Sequence, residues 1–156
     1  MIRLSEERSR ALAEVLPAGA LSFLRDNGVP ELADFRLIKH VFTLDMEPLF
    51  DGAFYRLGSV DGGYAMGLQR TTGYFGYVFA PPDQPPWVFC NSSIQCFLLC
   101  FAASERLWGL VQSKQLAEKS RGDWLEQEIR KIDPAVFADE NNIWSFLVEE
   151  LQAGVV

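Results

Sequence analysis

One stretch constrains this chain more than any other: Pro86-Trp87-Val88-Phe89-Cys90-Asn91-Ser92-Ser93-Ile94-Gln95-Cys96-Phe97-Leu98-Leu99-Cys100-Phe101. Trp87 to Cys90 is an apolar run of strand length. Asn91 and Ser92 break it with side-chain oxygens suited to capping. With Ser92 as N-cap, Gln95 falls at N3, so Ser92-Ser93-Ile94-Gln95 fits a capping box. Ile94, Phe97, Leu98 and Phe101 follow at helical spacing. Leu99 and Cys100 widen the apolar face until the helix is apolar nearly all round. Such a helix belongs inside a domain, with other elements packed on both sides.

The elements before it are mixed. Ser5 to Leu16 reads as a helix, with Ser5 as N-cap, Glu6 and Glu7 complementing the dipole, and Leu4, Ala11, Leu12, Val15 and Leu16 on its apolar side. Pro17 ends it or begins the next helix, which carries Leu21, Phe23 and Leu24. Asn27-Gly28 supplies a left-handed stop, with Pro30 just beyond. Residues 31–40 are open between helix and strand, and Val41-Phe42 fit a strand. Asp45 to Gly52 is an acidic loop. Residues 54–60, 64–69 and 74–80 then form a three-strand antiparallel meander, with turns at Asp61-Gly62-Gly63 and Arg70-Thr71-Thr72-Gly73. Residues 81–86 hold four of the eight prolines and make a stiff surface connection.

After the central stretch, Leu107, Trp108, Leu110 and Val111 continue or restart the helix. Asp123 to Ile132 is an amphipathic helix stopped by Asp133-Pro134. Asn142 caps a last helix with Ile143, Trp144, Phe146, Leu147 and Leu151 on its apolar face, and Gly154 ends it. The expected fold class is α+β, a largely antiparallel sheet with helices packed on one face.

A chain of 156 residues, 49% hydrophobic, is a one-domain length with ample material for one core, so residues 1–156 are expected to form a single domain. The uninterrupted apolar run Cys96 to Ala103 is short against the ~20 residues of a membrane span. The N-terminus lacks the apolar segment of a secretory signal, which places the expected protein in the cytoplasm, away from membranes. Three cysteines, an odd number, fit free thiols acting as small hydrophobes. A net charge of −7 argues against direct nucleic-acid binding and is compatible with a basic protein partner.

The residues for catalysis are sparse. His40 is the one histidine, beside Lys39 in the open segment, and reads as a surface or boundary residue. Nucleophilic triads need such a base with an orienting third group. Ser92 and Ser93 have their context explained by capping. His40, Cys90, Cys96 and Cys100 lack zinc-pair spacing, and neither glycine turn has a phosphate-loop Lys-Ser/Thr. No catalytic, metal or cofactor residue is therefore assigned. Tyr55, Tyr64, Tyr74 and Tyr77 lie in or beside strands, either as interface anchors or as cross-strand pairs.

Several local patterns resemble one family. Leu16-Pro17, Phe23-Leu24 and Gly28-Val29-Pro30 are similar to an opening Leu-Pro…Phe-Leu…Gly-Leu-Pro. Leu57-Gly58 and Thr72-Gly73 are similar to Leu-Gly…Thr-Gly-x-Val. Phe89-Cys90-Asn91-Ser92-Ser93-Ile94, then Phe97-Leu98, are similar to Phe-Val-Asn-Ser-Ser-Leu…Phe-Leu. Trp144 and Leu147 to Leu151 match a Trp-containing closing helix. In order and spacing these resemble the SUKH superfamily, in particular its fourth subgroup of bacterial immunity proteins. Cys90 stands where an aliphatic residue is usual, and Gly76-Tyr77-Val78 shifts the Gly-x-Val pattern.

The resemblance implies a sheet flanked by helices, no catalytic residues, and a protein that binds and neutralises a cognate toxin domain, commonly a nuclease or nucleic-acid deaminase. Occlusion of the toxin's active site is the expected mode. An acidic inhibitor can mimic phosphate charge in a basic substrate cleft. The candidate partner contacts are Asp45, Glu47 and Asp51 in the acidic loop, Asp61 at the hairpin turn, and Asp83 in the proline-rich loop. The alternative is a housekeeping scaffold or chaperone-like interaction module on the same fold.

Overall fold

Seven strands form one antiparallel sheet, in a computed structural model that describes residues 1–35, 38–61, 63–79 and 87–156. The strands are β1 (Leu32–Phe35), β2 (Ile38–Phe42), β3 (Pro48–Leu49), β4 (Phe54–Val60), β5 (Tyr64–Gln69), β6 (Phe75–Val78) and β7 (Trp87–Asn91). Their order is β1-β2-β4-β5-β6-β7, with β3 paired to β4 on the side. The helices are α1 (Glu6–Ala13), α2 (Ala18–Asn27), α3 (Ile94–Gln112), α4 (Arg121–Ile132) and α5 (Ile143–Ala153), with 3-10 turns at Glu118–Ser120 and Pro134–Ala138. The fold class is α+β, as the sequence implies. The proline-rich loop, with Asp83, lies outside the described residues.

The chain forms two compact units. The first comprises Met1–Phe89 and Ser93–Gln95, the second Cys90–Ser92 and Cys96–Val156.

The first unit holds α1, α2 and most of the sheet. Residues directly opposite across a ladder share a face. The register pairs Phe42 with Gly58, Gly58 with Met66, Met66 with Tyr77, and Leu68 with Phe75. Phe42, Met66, Leu68, Phe75 and Tyr77 therefore share one face, and all are buried. His40, two positions before Phe42, joins them. It is fully buried, with Nε2 2.9 Å from the Tyr77 hydroxyl, which corrects its reading as a surface or boundary residue. Burial pushes its pKa below the ordinary value. Within residues 31–40, open in the sequence, Leu32–Phe35 and residues 38–40 belong to the antiparallel pair β1 and β2.

A bulge shifts the β4–β5 register between Arg56 and Gly58. Leu57 is the extra residue, and its carbonyl accepts from Thr43 N at 2.9 Å and Leu44 N at 3.0 Å. Any side chain at Gly58 would place its Cβ 2.0 Å from the Val41 carbonyl oxygen. Gly73 has the same constraint at a turn: its Cβ would lie 2.4 Å from the Val15 carbonyl oxygen, with φ at +72°. Two glycines of the family-like pattern are thus fixed by close backbone approach.

The start of α1 and both ends of α5 carry the caps the sequence implies. Ser5 accepts from Arg8 N at 3.2 Å, Asn142 accepts from Trp144 N at 2.9 Å, and Gly154 closes α5 in the left-handed region. The start of α3 departs from expectation. The helix begins at Ile94, and the Ser92 hydroxyl donates to Asp133 Oδ1 at 2.8 Å, far along the chain.

The second unit is helical around that bond. Asp133 Oδ2 also accepts from Ser92 N at 2.7 Å and from Asn91 Nδ2 at 3.0 Å. Asn91 Oδ1 accepts from the Trp144 indole at 2.8 Å, and Asn142 Nδ2 donates to the Cys90 carbonyl at 2.9 Å. Helix α3 runs 19 residues with a mean hydropathy of 1.4, long and apolar enough by length and composition to cross a membrane. Core helices of soluble proteins that are mostly buried meet the same criterion; here 33% of the segment is buried, with Ala102, Glu105, Arg106, Gly109 and Gln112 exposed, so its C-terminal half is not enclosed on both sides as the sequence implies. Its Arg106 pairs with Glu128 of α4 and lies over the Trp124 ring at 5.1 Å. Those contacts hold a charged residue of α3 against a neighbouring helix.

Candidate functional site

Residues 43–52 concentrate backbone strain. Leu44, Met46, Phe50 and Asp51 have φ of +51°, +57°, +50° and +54°. Among the described residues Lys114 is the only other non-glycine with positive φ. Each such residue costs about 1–3 kcal/mol and persists where surrounding contacts over-determine it. Strain of this kind clusters at functional sites, which makes this loop the candidate.

The over-determining contacts come from β4. Met46 N donates to the Arg56 carbonyl at 3.0 Å, and Arg56 N donates to the Glu47 carbonyl at 2.9 Å. Pro48 and Leu49 pair with Tyr55 and Phe54. The Asp45 carboxylate receives Arg56 Nη2 at 2.6 Å and Nε at 3.0 Å, Thr43 Oγ1 at 2.8 Å and Glu47 N at 3.1 Å. The Arg56 guanidinium, above all, holds the Asp45 carboxyl down at about 2. Arg56 Nη2 also pairs with Glu47 at 3.3 Å.

The far end of the loop points outward. Phe50 is 50% exposed, a large fraction for an aromatic ring. It meets Phe54 edge-on at 6.2 Å between centroids, and Phe54 stacks on Trp87 at 5.0 Å. Asp51 beside it is exposed, and Arg70 approaches Gly52. The loop therefore carries a half-exposed ring braced from beneath at its far end, beside Asp51, and Asp45 and Glu47 clasped by Arg56 at its near end. A hollow of about 560 Å³ adjoins it, lined by Ser5, Glu7, Arg8, Ala11, Asp45 and Met46.

The sequence candidates do not form one patch. Asp45, Glu47 and Asp51 share the strained loop. Asp61 sits at the opposite end of the seven-residue β4, ~20 Å away at ~3.3 Å per residue. Its carboxylate accepts from Lys39 N at 2.9 Å, pinning β2. Asp83 lies outside the described residues. Phe50 and Arg56 were missed by sequence reasoning. The available signal for Phe50 was an apolar residue directly before Asp51-Gly52, where a turn should be polar.

Of the four tyrosines, Tyr77 is buried and Tyr55 half-buried, while Tyr64 and Tyr74 are exposed. Tyr64 and Tyr74 pack edge-on against Phe79 and Phe89, at 4.5 and 5.3 Å. Among the described residues no group of three His, Cys, Asp or Glu is placed to hold a metal ion.

A strained, braced loop with an exposed aromatic ring is the kind of surface through which proteins recognise other macromolecules. Comparison with protein families gives the class its name: residues 3–150 match the model of the SUKH-4 immunity protein family, and the chain belongs to that family. Comparisons with curated proteins and with solved structures give no match. Membership carries an immunity-protein role and the binding of a cognate toxin protein, and proteins of this kind are generally non-catalytic.

Proposed function

We propose that this protein neutralises a toxin domain that acts on nucleic acid, a nuclease or a deaminase, by covering its substrate cleft in the cytoplasm. The observation that carries the reading is the loop at 43–52, a pre-ordered acidic and aromatic projection on a chain of net charge −7. A cleft for nucleic acid is basic, and carboxylates can occupy the positions of phosphates there. The charge also accelerates encounter with a basic partner.

Phe50 is the anchor in this reading, and Asp45, Glu47 and Asp51 are its acidic surround. Exposed rings held in one orientation lose little entropy on binding. Arg56 neutralises part of the loop, so affinity rests more on Phe50 and Asp51 than on summed charge. Asp61 and Asp83 are separate contacts on the same reading.

The test is co-expression with the toxin domain encoded beside this gene, scoring survival and co-purification. Survival with a stable one-to-one complex supports the reading. Death without a complex removes that toxin as the partner. Survival and a complex that Asp45→Asn, Glu47→Gln and Asp51→Asn together leave unchanged in affinity and salt dependence would remove the loop as the contact.

A further inference from the structure

We propose that the hollow between the N-terminal segment, α1 and α2 is a binding site for a small polyphosphate anion of the nucleoside di- or triphosphate class. Arg3, Arg10 and Arg25 line it, together with Leu4, Glu6 and Ser9, around about 520 Å³. The chain has 21 acidic residues against 14 basic ones. Even so, none of these three arginines is in an ion pair among the described residues. Three like charges around one hollow repel one another, and an anion between them reverses the sign of that interaction.

Two of the guanidiniums each make one hydrogen bond within the protein. Arg3 Nη1 donates to the Asp26 carbonyl at 3.3 Å, and Arg25 Nε donates to Ser9 Oγ at 3.5 Å. Ser9 lines the hollow and is only 4% exposed, and its hydroxyl can donate its own proton to a bound oxygen. Remaining guanidinium N–H groups suit the paired oxygens of phosphate. Glu6, also in the lining, offsets one of the three positive charges. A ligand with several negative charges fits that balance better than a monoanion.

The volume is within the roughly 300–1,000 Å³ usual for small-molecule sites. A long polyanion such as nucleic acid would extend past the three arginines onto a chain of net charge −7. The lining residues do not include the loop at 43–52, so this site stands apart from the toxin reading.

The experiment is calorimetric titration of the full chain at low ionic strength with inorganic pyrophosphate, with adenosine triphosphate, and with a short single-stranded oligonucleotide, against sodium acetate at matched ionic strength. Saturable one-to-one binding of pyrophosphate and adenosine triphosphate is expected. Arg10→Gln and Arg25→Gln should each weaken it about tenfold, the scale of a lost charge-assisted hydrogen bond. Both side chains are exposed, so the variants should keep the wild-type melting temperature, and Lys119→Gln serves as the unaffected control. Heat no greater than acetate gives, or binding that survives both arginine substitutions, overturns the proposal. So does an oligonucleotide that binds where pyrophosphate does not, since that marks a nucleic-acid surface.

Discussion

The indole Nε1 of Trp144 donates to Oδ1 of Asn91 at 2.8 Å, across 53 positions of sequence, with both residues buried. Asn91 passes the connection on, its Nδ2 donating to Asp133, which also holds the backbone and hydroxyl of Ser92. The Asn-Ser-Ser and Trp segments of the family-like pattern are thus two halves of one hydrogen-bond network. Asp133→Ala leaves Asn91 and Ser92 donors without their acceptor in a buried site, and the expected loss is about 3 kcal/mol or more. Trp144→Phe leaves Asn91 Oδ1 with only the weak Cys90 thiol donor at 3.3 Å, and should cost less, about 1–3 kcal/mol. Urea denaturation checks both, through the midpoint at unchanged slope. A loss under about 0.5 kcal/mol for Asp133→Ala, the range of ordinary surface changes, would contradict the network's role.

Local chemistry explains what could be read in advance. Ser5, Asn142 and Gly154 act within a turn of where they stand, so their roles follow from neighbours in sequence. The β4–β5–β6 meander was equally legible, because turn and alternation lie side by side. Asp133 shows the opposite case. Next to Pro134 it reads as a helix stop, which it is, but its main bonds reach 41 and 42 positions back. Ser92 was assigned to capping for the same reason. In the candidate site the carboxylates were visible as an acidic loop. Arg56 was not, because its grip on Asp45 needs β4 to fold back beside the loop.

That grip gives a pH prediction. Asp45 has its folded pKa depressed to about 2 from 3.8. A depressed carboxyl contributes stability above its unfolded pKa and loses it as pH falls through the folded value. Both partners are partly exposed, so screening limits the contribution to about 1 kcal/mol or less. Arg56→Gln should therefore lower stability slightly near neutrality. The gap from wild type should close between about pH 4 and pH 2, and should narrow with added salt. Denaturation curves across that range decide it, and a gap that widens on acidification would show that Arg56 acts through something other than Asp45.

The three cysteines differ in accessibility. Cys90 and Cys100 are buried and Cys96 is half-buried. Burial, with the Asp133 carboxylate second, pushes the Cys100 thiol far above its ordinary value. The thiolate is the reactive species, so Cys100 is expected to be inert in the folded protein. A thiol reagent should modify Cys96 first and reach Cys90 and Cys100 at the rate of unfolding. Mass mapping of the labelled chain reads the order directly. Labelling of Cys100 at the rate of a free thiol would mean the surrounding helices open readily.

Phe50 tests the interface. Its ring is half exposed and contacts Phe54 by one edge, so truncation removes little core packing. Phe50→Ala should leave the melting temperature nearly unchanged. In a complex the same ring would be buried, and loss of such an anchor typically costs about 2 kcal/mol or more, roughly thirtyfold in Kd. Asp61→Asn, at the other end of β4, should change affinity less. The measurement is Kd against the co-purified toxin domain for the wild type and the Phe50→Ala, Asp51→Asn and Asp61→Asn variants, at two salt concentrations. Phe50→Ala should weaken binding at both, because its contribution is apolar. Asp51→Asn should reduce the salt dependence, because its contribution is charge. Wild-type affinity in Phe50→Ala with a lowered melting temperature would make the ring part of the fold, and would move the contact away from the strained loop.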